Sequence, residues 1–409
     1  MNFPKNHLEL ESDSSEPFRQ VQSSMEMFGI WAEKRTTKHS IFRASYIIIC
    51  IMFNVSCCMG FYHQLKTKKI PLICSNFAML LVGGYGSVAI LILNRKAFNV
   101  WLTDMFQREK FLNNNPNNKL KQIYRSALEI TWPKAIFQLN KWSILVAEIM
   151  LAGVFLIYTS SKLNVEEECV ASEECSMIYI GYYYSPWDVD VHYWLANIEN
   201  ITFGVFCCAV VYWRDMYLTC FMCYLRCKLE VVSYVVGHLD EFIACGLSRT
   251  EYSSEIDHIL KQCIQEHQNI FQEFLSLHKY LSKIFCAMLL VNTLVIVNTT
   301  VIIFQEDNTS SFAIFVYCGA FYGCTHLYLM LSQSEELTLK SLQLADSIYS
   351  SNWYEMEVKH QKIFYIMLLR AQKPFALSCG DLFPANLNTF MKTMKTVYTI
   401  VNAVINLNK

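Results

Sequence analysis

Seven stretches of the chain are long and apolar enough to cross a lipid bilayer as helices. A hydrocarbon core about 30 Å thick needs about 20 mostly apolar residues in a helix. The stretches that meet this requirement are residues 44–65, 70–94, 142–161, 191–213, 284–305, 308–334 and 382–407. Glu148 and Glu199 each interrupt one of them, and two lysines interrupt the last. The pattern predicts an all-α integral membrane protein with seven transmembrane helices.

Two further segments combine charged and apolar residues at helical spacing. Residues 214–283 carry Glu230 and Glu266 among apolar neighbours such as Leu229 and Phe271. This alternation is typical of amphipathic helices, so we expect the fourth and fifth spans to continue beyond the membrane. The stretch from 334 to 370 has the same character. Together these segments predict a helical bundle outside the bilayer.

The loops predict the orientation of the chain. Lys and Arg are concentrated in residues 95–141, 214–283 and 340–373, whereas residues 160–190 carry seven acids against Lys162 alone. Because basic loops stay in the cytoplasm, we expect a cytoplasmic N-terminus and an extracellular C-terminus.

The loop after the first span departs from this rule, since Lys66, Lys68 and Lys69 would lie outside. G-protein-coupled receptors have the opposite orientation, and the third span here ends in IYTSSK without an Asp-Arg-Tyr motif. A metabotropic seven-span receptor is therefore a disfavoured alternative.

Composition excludes several classes of protein. Hydrophobic residues make up 53% of the chain and charged residues 17%, against about 25% charged in soluble domains. The net charge of −1 gives no reason to expect nucleic acid or another strongly charged partner. No phosphate-binding glycine motif and no metal-ligand spacing occurs, so we predict a non-enzyme without a cofactor or metal. The first forty residues lack the apolar core of a signal peptide, so the first span would direct insertion.

The seventeen cysteines do not form a recognisable disulfide framework. Most lie in apolar runs, as Cys57, Cys207 and Cys286 do, where cysteine acts as a small hydrophobic residue. Cys169 and Cys175 lie in the acidic loop and could form a bridge there if that loop is extracellular. The sequence leaves this pairing open.

The seventh stretch carries a continuous polar stripe. Steps of four and three residues place six side chains on one helical face: Asn388, Lys392, Lys395, Thr399, Asn402 and Asn406. An unpaired polar group in hydrocarbon costs several kcal/mol, so the stripe must face another helix or water. Periodicity alone leaves both possibilities open.

Residues 368–401 contain a motif that distinguishes between these possibilities. They read LLRAQKPFALSCGDLF, then LNTFMKTMKTVYTIV, and resemble the C-terminal signature of insect odorant receptors. The matching positions are Arg370, Ala371, Gln372, Pro374, Gly380, Thr389, Phe390, Lys395 and Tyr398. A gustatory-type channel of the same superfamily is the alternative, but its tail tends to end in Gln-Phe, which is missing here.

The resemblance implies an odorant receptor that acts as a subunit of an odorant-gated, non-selective cation channel. It implies a heterotetramer with the odorant co-receptor around one central pore, in the plasma membrane of a sensory-neuron dendrite. The cytoplasmic insertions are too short for the co-receptor itself. The implied units are a cytoplasmic N-terminal segment, spans 1–4, cytoplasmic helical extensions, spans 5–6, an anchor helix with a turn, and a pore-lining span 7: residues 1–40, 41–213, 214–283, 284–334, 335–381 and 382–409.

In this reading the polar stripe lines the pore. Amide groups give weak cation selectivity, and aliphatic side chains can close a pore by dewetting. The candidate pore and gate residues lie near the extracellular end of the last helix: Thr399, Val401, Asn402, Val404, Ile405 and Asn406. Lys392 and Lys395 oppose cation flow, and we place them in a wider inner vestibule where water screens them.

The resemblance also implies a pocket for a small hydrophobic volatile in the outer halves of spans two, three, four and six. Burial of apolar surface would supply most of the affinity, at about 25 cal/mol per Å². The candidate lining residues are Phe77, Leu80, Leu81, Glu148, Leu151, Ala152, Phe155, Asn197, Ile201, Val205, Tyr317 and Phe321. For each aromatic residue the alternative is core packing. An acid at membrane depth is a functional candidate, so Glu148 is the most specific of these residues. The alternative is a hydrogen bond to a neighbouring span, for instance from Asn292, Asn298 or a tyrosine.

Overall fold

The computed structural model describes residues 15–27, 37–67, 96–136, 193–244, 246, 248–305 and 311–407, together with residues 73, 77, 80, 81 and 83–87. The helices in these ranges are α1 Glu16–Met27, α2 Thr37–Thr67, α3 Lys96–Asn113, α4 Tyr193–Gly237, α5 Arg249–Gln305, α6 Ser311–Ser350, α7 Val358–Ala371 and α8 Leu387–Leu407. Residues 118–136 are helical as well. Single 3₁₀ turns lie at Leu239–Phe242 and Trp353–Glu355. Two short strands, β1 Ser378–Cys379 and β2 Phe383–Pro384, pair antiparallel.

Three helices are much longer than a bilayer requires. They are α4 with 45 residues, α5 with 57 and α6 with 40. At 1.5 Å per residue these helices measure roughly 60–85 Å, against a hydrocarbon core of about 30 Å. Each therefore runs without interruption from a predicted membrane span into a predicted cytoplasmic segment. Among the described residues, Arg249–Val301 is long and apolar enough to cross a membrane, and a shorter apolar helix covers Ile47–Tyr62.

The central element of the described core is α4. Every residue from 214 to 229 is buried, which is typical of a helix surrounded on all sides by other helices. Its neighbours are α5 and α6, and α1 and α3 pack against the same core. The buried surface is rich in aromatic rings, among them Phe98, Phe221 and Tyr224.

Buried charges of α4 are paired with charges of the surrounding helices. The Lys228 ammonium lies 2.7 Å from Glu266 and 3.0 Å from Glu273, both on α5. Glu273 in turn accepts a hydrogen bond from Arg108 of α3 at 2.8 Å. Because a buried ion without a partner is strongly destabilising, this cluster fixes the mutual register of three helices.

A second charged cluster joins α4 to α6 at the predicted membrane boundary. Arg214 donates to Asp215 at 2.7 Å, and His326 of α6 contacts the other carboxylate oxygen at 2.9 Å. Asn292 of α5 lies 3.3 Å from His326, and the Arg214 guanidinium lies 4.3 Å from the Tyr85 ring. The sequence suggested Asn292 as a partner for Glu148, which lies outside the described residues.

Candidate pore helix and its cytoplasmic base

One face of α8 packs against the chain's own helices. Val397 and Val401 are buried against Ile296 of α5, and Cys324 of α6 borders the same cluster. Met394 and Ile405 complete this face as partly buried residues. The contacts fix the rotation of α8 about its axis.

The polar stripe lies on the opposite face. A helix turns about 100° per residue, so the six stripe residues span an arc of roughly 80°, centred about 145° from the middle of the buried face. All six are exposed except Asn402, which is half-buried at the edge. The stripe therefore does not pack against the described helices of its own chain.

The six candidate gate residues divide between the two faces. Thr399 and Asn406 are exposed and Asn402 lies beside them, whereas Val401 and Ile405 face α5 and α6. Val404 is half-buried on the flank. The structure thus brings together the amide and hydroxyl candidates on one face and sets two aliphatic candidates behind them.

A β-hairpin precedes α8 and occupies residues that hydropathy assigned to the membrane span. The helix begins at Leu387 rather than at 382, because the chain reverses at Gly380 and Asp381, both with positive φ. A Cβ on residue 380 would lie 2.8 Å from the Cys286 sulfur, so only glycine fits. The Gly380 N–H donates to the Ser282 carbonyl at 2.9 Å, which ties the hairpin to α5.

The Asp381 side chain strengthens this attachment. The Ser378 hydroxyl donates to its carboxylate at 2.7 Å, and His278 of α5 lies 3.3 Å away. Hydrogen bonds from Ser378 and His278 hold the pKa of the Asp381 carboxyl below its usual value. At neutral pH the carboxylate therefore remains a charged acceptor at the turn.

The signature segment inserts one aromatic ring into the core below the hairpin. Phe375 is 1% exposed and stacks on Phe274 at a centroid distance of 5.2 Å. Its N–H donates to the Ser341 hydroxyl at 2.9 Å, and its carbonyl accepts from Thr338 at 3.3 Å. Phe375 thereby joins α5 and α6 through both its ring and its backbone.

Arg370 of the signature closes over this ring cluster. Its guanidinium lies 3.9 Å from the centre of the Phe271 ring, which is a cation–π contact. Its side chain also donates to the Lys373 carbonyl at 3.2 Å. Burial, with the nearby Arg370 charge, lowers the pKa of His267 to about 4. His267, which stacks on Phe375, is therefore neutral at physiological pH.

The first turn of α8 is capped by two side chains. Asn386 accepts from the Thr389 N–H at 3.0 Å, as an N-cap residue does. Glu335 of α6 accepts from the Leu387 N–H at 3.1 Å, so its negative charge meets the positive end of the helix dipole. The sequence did not single out Glu335, since nothing local links it to a residue so far along the chain.

The predicted odorant pocket is described only in part. Phe77 contacts the Phe61 ring of α2 at 5.7 Å, and Leu80 and Leu81 are half-buried. Tyr317 and Phe321 on α6 are exposed. The remaining candidates lie outside the residues, or the side chains, that the structure describes: Glu148, Leu151, Ala152, Phe155, Asn197, Ile201 and Val205. The pocket stays a prediction, as does the Cys169–Cys175 pairing, whose residues are likewise outside the described ranges. No metal-binding group of His, Cys, Asp and Glu occurs among the described residues.

Helices of this length, with an apolar stretch able to cross a bilayer, are typical of helical membrane proteins. Comparison with known structures agrees. The olfactory receptor OR5 of the insect Machilis hrabei, solved in complex with eugenol, superposes with a TM-score of 0.74 over 95% of this chain and 97% of that one, at 14% sequence identity. That similarity establishes the fold, an all-α seven-helix membrane architecture, as the sequence predicted.

Sequence comparison identifies the family. The family model described as 7tm Odorant receptor matches residues 88–398, and the chain belongs to this family. Odorant receptor Or2 of Anopheles gambiae is 21% identical over 193 residues, which are 47% of this chain and 50% of that protein. Odorant receptor 30a of Drosophila melanogaster is 32% identical over 66 residues, 16% of this chain and 18% of the relative. The alignments thus span half or less of these curated relatives.

These findings confirm the resemblance that the C-terminal signature suggested. The chain is a multi-pass membrane protein of an odorant receptor family, which is not a class of enzymes. The orientation of its termini, the division into six units and the site residues stay predictions.

Proposed function

We propose that this chain is the odour-tuning subunit of an odorant-gated, non-selective cation channel. It works in a heterotetramer with odorant co-receptor subunits, in the plasma membrane of a sensory-neuron dendrite. The single observation that carries the proposal is the geometry of α8. Its polar face points away from the chain's own helices, in a family whose members are odorant receptors.

The polar face of α8 lines the ion path. Thr399, Asn402 and Asn406 present hydroxyl and amide groups to water, which give a weak and broad preference for cations. Val401 and Ile405 hold the helix from behind through contacts with α5 and α6. A rotation of α8 by a fraction of a turn would exchange amide for aliphatic side chains at the narrowest level, and this exchange is the gate.

Assembly uses the cytoplasmic bundle. The outer face of α7 exposes Val358, Tyr365 and Ile366, and the hairpin exposes Leu382 and Phe383. In the predicted topology α7 lies in the cytoplasm, where no lipid covers such residues. Exposed apolar surface of this extent marks a protein interface, and we assign it to contacts between subunits.

The ligand is a small hydrophobic volatile that binds in the outer halves of spans two, three, four and six. The residues predicted from the sequence, Phe77, Glu148 and Phe321 among them, line the pocket. Ligand binding moves α6, and α6 contacts α8 directly through Glu335 at the Leu387 N–H and through the Tyr328 and Phe390 rings at 5.6 Å. This path transmits occupancy of the pocket to the pore helix.

Current recordings test the channel assignment. Cells that express this chain with a co-receptor should pass cation current when exposed to active members of a volatile panel. Cells that express either subunit alone should not respond to those volatiles. Absence of odour-evoked current from the pair across a broad panel would overturn the assignment.

Cysteine substitution tests which face of α8 meets water. Asn402→Cys and Asn406→Cys should make the current sensitive to a charged, water-soluble thiol reagent, whereas Val401→Cys serves as the matched control on the buried face. Modification at Val401→Cys without modification at the other two positions would refute the assigned orientation of the helix.

A further inference from the structure

Two lysines belong to the outward face of α8. Lys392 and Lys395 are both exposed, and a helix turns about 100° per residue, which places Lys395 about 20° and Lys392 about 80° from Asn402 around the axis. No carboxylate lies within salt-bridge distance of either ammonium group among the described residues. Glu335, the acid that caps the start of α8, lies on α6 and accepts from the Leu387 N–H. The two charges are therefore not neutralised by the described part of their own chain.

The lysines lie at a different level from the amides. At 1.5 Å per residue, Lys395 lies about 10 Å and Lys392 about 15 Å before Asn402 along the helix. In the predicted orientation this is the cytoplasmic side. The Debye length at physiological ionic strength is about 8 Å, so the field of the lysines is concentrated at the cytoplasmic mouth and reaches the amide level only weakly.

We propose that Lys392 and Lys395, on each copy of this subunit, supply the positive charge in the ring of side chains at the cytoplasmic mouth of the pore, here called the cationic ring, and make the channel discriminate against divalent cations. This inference rests on the proposed channel function. A positive potential raises the energy of an ion in proportion to its charge, so Ca²⁺ is disfavoured twice as strongly as Na⁺. Clefts lined by charge of one sign reach potentials of several kT, and a screened value of 1–2 kT lowers the ratio of Ca²⁺ to Na⁺ permeability by about threefold to sevenfold.

The effect on the Ca²⁺ to Na⁺ permeability ratio comes from the lysines and not from the amides of the same helix. The amides nearer the outer end carry no formal charge and give only weak selectivity. The lysines therefore determine the discrimination between divalent and monovalent cations, while the amide level determines only that cations pass. A lysine that bends toward lipid phosphates instead would leave the permeability ratio unchanged, so the same measurement distinguishes the two arrangements.

The test compares permeability ratios from reversal potentials of the odour-evoked current, with Na⁺ or Ca²⁺ as the external cation. The double variant Lys392→Gln/Lys395→Gln, expressed with a co-receptor, should raise the Ca²⁺ to Na⁺ ratio by about threefold or more. Lys392→Arg/Lys395→Arg keeps the charge and should retain the original ratio. Lys261→Gln removes an exposed lysine from the distant part of α5 and is the matched control, with no expected change.

A second measurement needs no substitution. Lower ionic strength in the cytoplasmic solution lengthens the Debye length, so the Ca²⁺ to Na⁺ ratio of the unmodified channel should fall further. An unchanged ratio in the glutamine variant and at low ionic strength would overturn the cationic ring while leaving the channel assignment intact. Absence of odour-evoked current from the unmodified pair would overturn the channel assignment itself and this inference with it.

Discussion

Replacing Phe375 by alanine is expected to loosen the junction between α5, α6 and the segment that leads into the hairpin before α8. The ring is 1% exposed, stacks on Phe274 at 5.2 Å and lies 5.6 Å from Phe271. Loss of a buried phenylalanine costs about 3–5 kcal/mol, and each ring pair adds about 0.5–1.5 kcal/mol beyond the buried area. We therefore expect a loss near the upper end of that range, about 4–5 kcal/mol.

The assay is thermal inactivation of the detergent-solubilised assembly, followed by size-exclusion chromatography of the fluorescently labelled chain. For large domains, 1 kcal/mol corresponds to about 2–4 °C in the midpoint, so Phe375→Ala should lower it by roughly 10 °C. Tyr349→Ala provides the control, because that ring is 70% exposed and lies outside both the buried ring cluster and the surface assigned to subunit contacts, so it should change the midpoint by far less.

Equal midpoints for the two alanine variants would refute the reasoning, because they would mean that the Phe375 ring does not join α5 and α6.

The Phe383 ring belongs to the surface assigned to subunit contacts. Its substitution should therefore reduce the fraction of assembled tetramer more than it reduces the stability of the single chain.

Two further substitutions test the buried ionisable groups among α4 and α5. Lys228→Met leaves Glu266 and Glu273 buried near each other and should destabilise the chain by about 3–5 kcal/mol. The double variant with Glu266→Gln should recover part of that stability. Similar thermal midpoints for Lys228→Met and the wild type would contradict the assigned burial of this ion cluster. The pKa of His267 is lowered to about 4, so between pH 6.5 and 4 this imidazole is protonated in the unfolded chain but neutral in the folded one. The folded state should lose up to about 3 kcal/mol of stability from pH 6.5 to 4. His267→Gln should remove that part of the pH dependence of the thermal midpoint. Identical pH profiles of the midpoint for the variant and the wild type would contradict this prediction.

The polar stripe of α8 could be predicted from spacing alone, because every third or fourth residue from Asn388 to Asn406 is polar. The rotation of the helix could not. Val401 and Ile405 lie behind the amides, but apolar residues are spread around most of the remaining surface of α8, so hydropathy gives no preferred partner face. Contacts with Ile296 decide the rotation, and those are known only from the structure.

The start of α8 and the burial of the charged residues could not be predicted from local sequence patterns either. Leu382 and Phe383 are apolar and extend the hydropathic run, yet they belong to a hairpin that depends on the positive φ of Gly380. Lys228 lies in a segment that the sequence predicts as an amphipathic helix, yet its side chain is only 2% exposed. Its partners lie on a different helix, so no local pattern indicates that the charge is buried.

Because α5 is one uninterrupted helix, a tilt at one end displaces its other end. A helix of 57 residues is about 85 Å long, and a tilt of about 2° at one end moves the other by about 3 Å, roughly the diameter of a water molecule. In the proposed channel, a small tilt of the membrane-spanning half of α5 therefore appears at its far end as a displacement of about 3 Å. A contact that holds the far end of this helix would in turn restrict the tilt of the half that packs against α8 through Ile296.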